Sequence, residues 1–259
     1  MSSAARTIDL PDPHDGGIDR YSVAIVREPA SLTDLLAAVL RIAARGEGRS
    51  FVILDDAGQC LYTSGHAING HDLDDGVEYP DDDSPEAIDR YEADLFTTVL
   101  AALRASDPAV NWASVPEEFA TNAEDIDALV SLNRDPSVLL ESTHVVQRVP
   151  EQSVDGLLAD VPNGYFSGDW TPFQSLAVTR RLHDRYGYEP WGIGARSLAF
   201  HRPAGVLPSD LSGPLMADLQ HLYGQPNSPA WSDLAKLVES TTILVLGYTE
   251  DFAELVTEA

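Results

Sequence analysis

Short β-branched runs alternate with amphipathic helical stripes along the chain, and that alternation confines it to mixed α and β architectures. YSVAIV (21–26) has the apolar makeup of a strand. Ser31 then precedes LTDLLAAVLRIAARG, and Asp34 stands three residues on, as in a capping box with Asp for Glu. Leu32, Leu35, Leu36, Val39, Leu40 and Ile42 form the helical stripe, and Gly46 or Gly48 stops it. FVILDD (51–56) reads as a second strand, Ala-Gly as a turn, and QCLYT (59–63) as a third strand. Residues 64–84 read as an acidic loop. Ser84 and Pro85 open a helix through Ser106 with Ile88, Tyr91, Leu95, Val99 and Leu103 on one side, and another is expected over 116–132.

Past NRDPSVLLES (133–142) the pattern resumes with strand-like THVVQRV, a short helix around SVDGLLADV and a helix over 172–186 that starts at Pro172 and stops at Gly187. EPWGIG and SLAFHR read as paired strands, LSGPLMADLQHLYG and SPAWSDLAKLVES as helices, and TILVLGYT (242–249) as a closing strand. Residues 1–150 hold 28 acids and 10 bases, against 14 and 6 in the remainder. This shift places a boundary near 133–145. The expected fold class is therefore α+β, with two small mixed sheets each packed with helices and divisible into two domains. The parts would be a flexible leader (1–19), an N-terminal α/β part (20–135) and a C-terminal α+β domain (141–259).

Charge decides which partners are excluded. Forty-two acids face 16 bases, a net of -26, and such a surface repels nucleic-acid phosphates and anionic lipid heads. Lys236 is the only lysine beside fifteen arginines, a usage that fits hydration in high salt or a high-GC genome. Cys60 is the lone cysteine, so no intramolecular disulfide forms. The first residues, MSSAARTIDLPDP, lack the apolar core of a signal peptide, and LLAAVLRIAA is too short and too charged to span a bilayer. A cytoplasmic protein with no nucleic-acid or membrane partner is expected, together with a protein partner whose chemistry is open.

Motifs with chemistry are sparse. Setting Gly76 as the sixth residue of a calcium loop puts His71 first, Leu73 third and Asp82 where Glu belongs, so the run is a solvated loop. His66 and His71, with Asp72, Asp74 and Asp75, fit no helical ligand spacing, so no metal and no cofactor is expected. GIGAR (192–196) lacks the third glycine of a dinucleotide loop. Cys60 reads as a buried hydrophobe. The basic stretch VTRRLHDRYG (178–187) is the one concentration of positive charge. Arg180, Arg181 and Arg185 are anion-site candidates. They also suit the negative end of a helix, with Asp184 at i,i+3 and i,i+4 spacing as their partner. His183 falls between the two faces of that helix.

The stretches GYFSGDWTPFQSLAVTRRLHDRYGYEPWGIGARSLAF, ADLQHLYG and LAKLVESTTILVLGYTED resemble domain-of-unknown-function family 4253 over about residues 160–252. The resemblance implies a C-terminal α+β module with a helix ending in Tyr-Gly, a glycine-containing hairpin and an apolar closing strand. The end departs from it, with VLGYTED where members often carry tryptophans before an acid. No activity and no residue role come with it. The leading expectation is a non-catalytic binding or accessory module. One alternative is a hydrolase with a cryptic site drawn from His183, His201 and Asp169. Another is an acidic decoy that occupies a basic protein.

Overall fold

A computed structural model describes residues 5–13, 15–105, 112, 115 and 121–257. Their strands are β1 (Arg6–Asp9), β2 (Ser22–Arg27), β3 (Arg49–Ile53), β4 (Thr143–Val149), β5 (Glu189–Ile193), β6 (Ser197–His201) and β7 (Ile243–Gly247). The helices are α1 (Leu32–Ala43), α2 (Ala57–Gly70), α3 (Pro85–Ala105), α4 (Ala123–Arg134), α5 (Asp155–Asp160), α6 (Pro172–Tyr186), α7 (Ser209–Tyr223), α8 (Ala230–Val238) and α9 (Glu254–Thr257). The α+β class holds.

All the described strands join one seven-stranded mixed sheet, ordered β1-β2-β4-β3-β5-β6-β7. It replaces the two small sheets expected. The physical reason is β4, the first strand after the expected junction, which pairs antiparallel with β2 on one side and β3 on the other. The chain thus re-enters the sheet between two strands of its own first half. β3 and β5 are the parallel pair, and β5, β6 and β7 follow antiparallel, so β3, β5 and β7 point the same way.

The two faces follow the period of two along each strand. Val52, Val146, Ala199 and Val245 face one apolar layer that α1 covers with Leu32, Leu35, Leu36, Val39 and Ile42. Each such Leu or Ile side chain stabilises by about 1.5–3 kcal/mol. Phe51, Ile53, Val149, Leu198, Phe200, Leu244 and Leu246 face the other, larger layer, which side chains of α3 to α8 fill.

Local signals set most element ends. Ser31 caps α1 by accepting from Asp34 N, and Thr171 with Gln174 makes a capping box ahead of Pro172. α6 ends at Gly187, whose φ of 71° only a residue without a Cβ adopts at no cost. Three expectations are corrected. Residues 59–63 are not a strand but lie in α2, because the Asp56 side chain caps a helix there by accepting from Gln59 N at 3.0 Å. The leader contains β1, which pairs along β2. α4 begins at Ala123, where Asn122 and Asp125 form its capping box; residues 116–120 of the expected helix lie outside the described residues.

Candidate functional site

The arginine cluster finds its anions inside the protein. Arg180 grips Asp155 through Nε and Nη2 at 2.9 and 3.0 Å, and Arg104 reaches the same carboxylate. Arg181 grips Asp218 at 2.8 and 3.0 Å, Arg185 joins it at 3.2 Å, and the Tyr186 hydroxyl donates to it at 2.6 Å. The expected pairing with Asp184 is thus corrected to two tertiary clamps, one to α5 and one to α7. Fork-shaped guanidinium groups suit bidentate carboxylates, so the clamps fix α6 against its neighbours.

His183 and His201 meet at Glu189. His183 Nδ1 lies 3.1 Å from Glu189 Oε1, and His201 is the strand partner of Glu189. Arg49 holds the other Glu189 oxygen at 3.0 Å. Burial, and the charge of Arg49, hold the His201 imidazole below its usual range against the pull of Glu189. This group sits where β5 begins. Asp169 does not belong to it. Its cavity lies where β5 ends, the length of a five-residue strand away, which is about 15 Å. The expected His/Asp set is therefore divided between opposite ends of the sheet.

The cavity around Asp169 occupies about 360 Å³. It lies beyond the carboxyl ends of β3, β5 and β7, lined by Asp56, by Ala195 and Arg196, and by Thr249 to Asp251. β3 runs out through Leu54 into Asp55 and Asp56, and the two carboxylates do different work. Asp55 is buried and accepts from Ser197 Oγ at 2.7 Å and Arg196 N at 3.1 Å, which clasps the β5–β6 turn to the end of β3. Burial pushes its carboxyl up from the usual value despite these bonds. Asp56 lines the cavity in the left-handed region, φ 38° and ψ 72°, while capping α2. Such backbone strain in a residue other than glycine collects at binding sites.

The floor is a buried polar network. The Tyr248 hydroxyl donates to Gly194 O and Ala195 O at 2.7 and 3.0 Å. Asn163 Nδ2 donates to Cys60 Sγ at 3.0 Å, and Thr63 Oγ1 donates to Asn163 Oδ1 at 2.6 Å. Burial pushes the Cys60 thiol up, and the residue sits in α2 rather than in a strand. On the wall, Asp169 is held by Phe166 N and Glu250 N at 3.3 and 3.4 Å. Burial, with the nearby charges of Asp251 and Glu250, raises its carboxyl to about 6. Arg196 spans the rim and is itself met by Asp251 at 3.1 Å and Glu254 at 3.0 Å.

The rim continues into exposed aromatic rings. Phe166 lines the cavity and packs edge-on to Tyr165 at 5.3 Å; Tyr165 lies 4.9 Å from His66, and His66 lies 4.4 Å from Tyr62. His66 is thus part of a ring ladder along α2. His71 caps α2 and its Nε2 faces Gly164 O at 3.2 Å. Among the described residues no three His, Cys, Asp or Glu side chains converge as a metal site, and no helix is long and apolar enough to cross a membrane. Aspects of this site that sequence spacing could not expose are Asp56, Arg196 and Glu250, because loops distant in the chain deliver them. The only advance signal was Asp169 itself.

Compared with known protein families, curated proteins and solved structures, the chain gives no match.

Proposed function

We propose that this protein is a binding module whose ligand is a small, neutral, polyhydroxylated molecule held at the carboxyl ends of β3, β5 and β7. The observation that carries this is the cavity's combination of surfaces. Asp56, Asp169, Glu250 and Asp251 supply acceptors, Arg196 and Gln59 supply donors, and Phe166 supplies an apolar ring face at the mouth. Hydroxyl groups need both donors and acceptors, while the C–H face of a sugar-like ring needs a flat apolar partner. The net negative lining disfavours anions. The clasp at Asp55 and the network under Gly194 hold the floor rigid before a ligand arrives.

Ligand-observed NMR and calorimetry with monosaccharides, polyols and short oligosaccharides test the reading. Binding is expected for at least one of them, and Asp169→Ala and Phe166→Ala are each expected to weaken it ~10-fold or more, a loss of about 1.4 kcal/mol. Silence across the panel, or binding indifferent to both substitutions, removes the reading. The hydrolase alternative keeps one supporting observation, the Asp169 carboxyl near 6, where a group can both give and take a proton. On that reading turnover of the bound ligand passes through its half-point near pH ~6 and vanishes in Asp169→Asn, while His183→Gln and His201→Gln leave it intact.

Kinship with family 4253 is part of the same proposal. It is supported by the order of a helix ending at Tyr186-Gly187, the hairpin β5–β6 and the closing strand β7. We also read the charge of -26 as hydration in concentrated salt. The melting temperature is then expected to climb as KCl is raised to about 2 M, well beyond the concentration that screens charge repulsion. A curve that levels off below ~0.3 M would assign the acidity to repulsion alone, leaving the decoy reading to be tested with basic proteins.

A further inference from the structure

A second cavity of about 250 Å³ lies on the far side of α2, between the loop before β2, α2, α3 and the end of α5. Three carboxylates enter it from three segments: Asp19, Glu92 and Asp160. Two of them are engaged by backbone. Asp19 Oδ1 accepts from Tyr21 N at 2.8 Å, and Glu92 Oε2 accepts from Arg20 N at 2.7 Å. Asp160 is the last residue of α5, where the helix end is already negative. Its Oδ2 is buried and has no hydrogen-bond partner among the described residues. The rest of the wall is apolar and aromatic, with Ile18, Leu61, Ile68, Leu95, Phe96 and Tyr91.

A buried acceptor without a donor is destabilising, and more so when it is charged. The Arg20 side chain, in the same loop as Asp19, is engaged elsewhere. The Arg20 guanidinium donates to Asp89 O and lies over the Tyr21 ring, 5.7 Å from its centre. Of the titratable side chains that line the cavity, the loop contributes Asp19 and Tyr21, α3 contributes Tyr91 and Glu92, and α5 contributes Asp160; α2 presents only Leu61 and Ile68.

We propose that this cavity is a binding site for an organic ammonium ion, its hydrocarbon body against Leu61, Ile68 and Leu95 and its charged nitrogen among Asp19, Glu92 and Asp160. An ammonium supplies the donors that Asp160 Oδ2 lacks and cancels the repulsion among the three acids. The aromatic rings add attraction for a desolvated cation. A hydrated metal ion is the poorer occupant, since apolar walls offer it no replacement for its water. Burial and the charges of Asp19 and Glu92 hold the Asp160 carboxyl well above its usual value, and burial with the charge of Glu92 raises Asp19 to about 6. Seating a cation therefore releases protons, and affinity rises with pH.

The test is calorimetry of the full chain with benzylamine and 1,4-diaminobutane in ~0.5 M KCl, where a Debye length of about 4 Å suppresses loose attraction to the acidic surface. The expected results are saturable binding, tighter at pH ~8 than at ~5, and proton release seen as a dependence of the heat on the buffer. Asp160→Asn is expected to weaken it at least ~10-fold, and Leu95→Trp, which fills the space while keeping all three acids, to abolish it. Asp169→Ala, in the other cavity, leaves it unchanged, so failure here is separable from failure of the sugar-site reading. No saturable heat with the unsubstituted protein, or equal binding in Leu95→Trp, overturns the proposal.

Discussion

Replacing Asp218 by alanine is expected to destabilise the fold by about 3 kcal/mol, the low end of the range for breaking a buried ion pair from one side. Asp218 takes a bidentate Arg181, a second arginine and the Tyr186 hydroxyl. Its side chain is 11% exposed, whereas those of Arg181 and Arg185 are 32% and 43% exposed. Water can therefore re-solvate the stranded guanidinium groups in part, which is why the low end applies. The buried Tyr186 hydroxyl has less recourse, and the Arg181 guanidinium also lies over the Trp112 ring at 5.0 Å, a position the clamp maintains. Urea unfolding at neutral pH should show a lower midpoint with an unchanged slope. The pH dependence has a definite sign. Burial alone would push the Asp218 carboxyl up, but hydrogen bonds from Arg181 and Tyr186 and the arginine charges outweigh it and hold it below its usual value. Its contribution is complete above the unfolded value near ~4 and is lost as pH falls through the folded value. The gap between wild type and Asp218→Ala should therefore close in acid. A loss under ~1 kcal/mol at neutral pH would mean the arginines pair with solvent instead.

Gly194→Ala is expected to cost about 3–5 kcal/mol and to abolish ligand binding in the Asp169 cavity. A Cβ at this position would stand 1.9 Å from Asp55 Oδ1 and 2.9 Å from Asp55 N. Neither side can yield cheaply. Gly194 N donates to Ser197 O at 2.8 Å, and Gly194 O accepts from Tyr248 and Asn163. The Asp55 carboxylate is committed to Ser197 and Arg196. To admit the methyl group, the clasp must open and leave a buried carboxylate without its donors. Equilibrium unfolding and the NMR titration on one preparation measure both effects. A variant of normal stability that still binds would show that the clasp does not shape the cavity.

These two sites separate what spacing along the chain reveals from what it hides. α6 was legible to the residue, because Pro172 at its start and Gly187 at its stop act on their own backbone. The hairpin β5–β6 and the closing strand were legible for the same reason, being runs of β-forming residues. Residues 59–63 misled, since Cys, Leu, Tyr and Thr suit a strand by propensity, yet one cap at Asp56 and the packing of Cys60 and Thr63 made them helical. The arginines were visible, but Asp218 lies 37 residues beyond Arg181 and Asp155 lies 25 before Arg180. The local candidate Asp184 was the natural guess and the wrong one.

The amino-acid sequence by itself determined the periodicities, the caps, the α+β class and the strongly negative surface. Each of these depends on one residue or on neighbours within a few turns. The tertiary structure alone decided that β4 enters between β2 and β3, which turns two expected sheets into one. It also parted Asp169 from His183 and His201, and gathered Asp19, Glu92 and Asp160 around a single cavity. Strand pairing and side-chain convergence are set by how two apolar faces of a sheet are covered at once, and that requirement involves the whole chain.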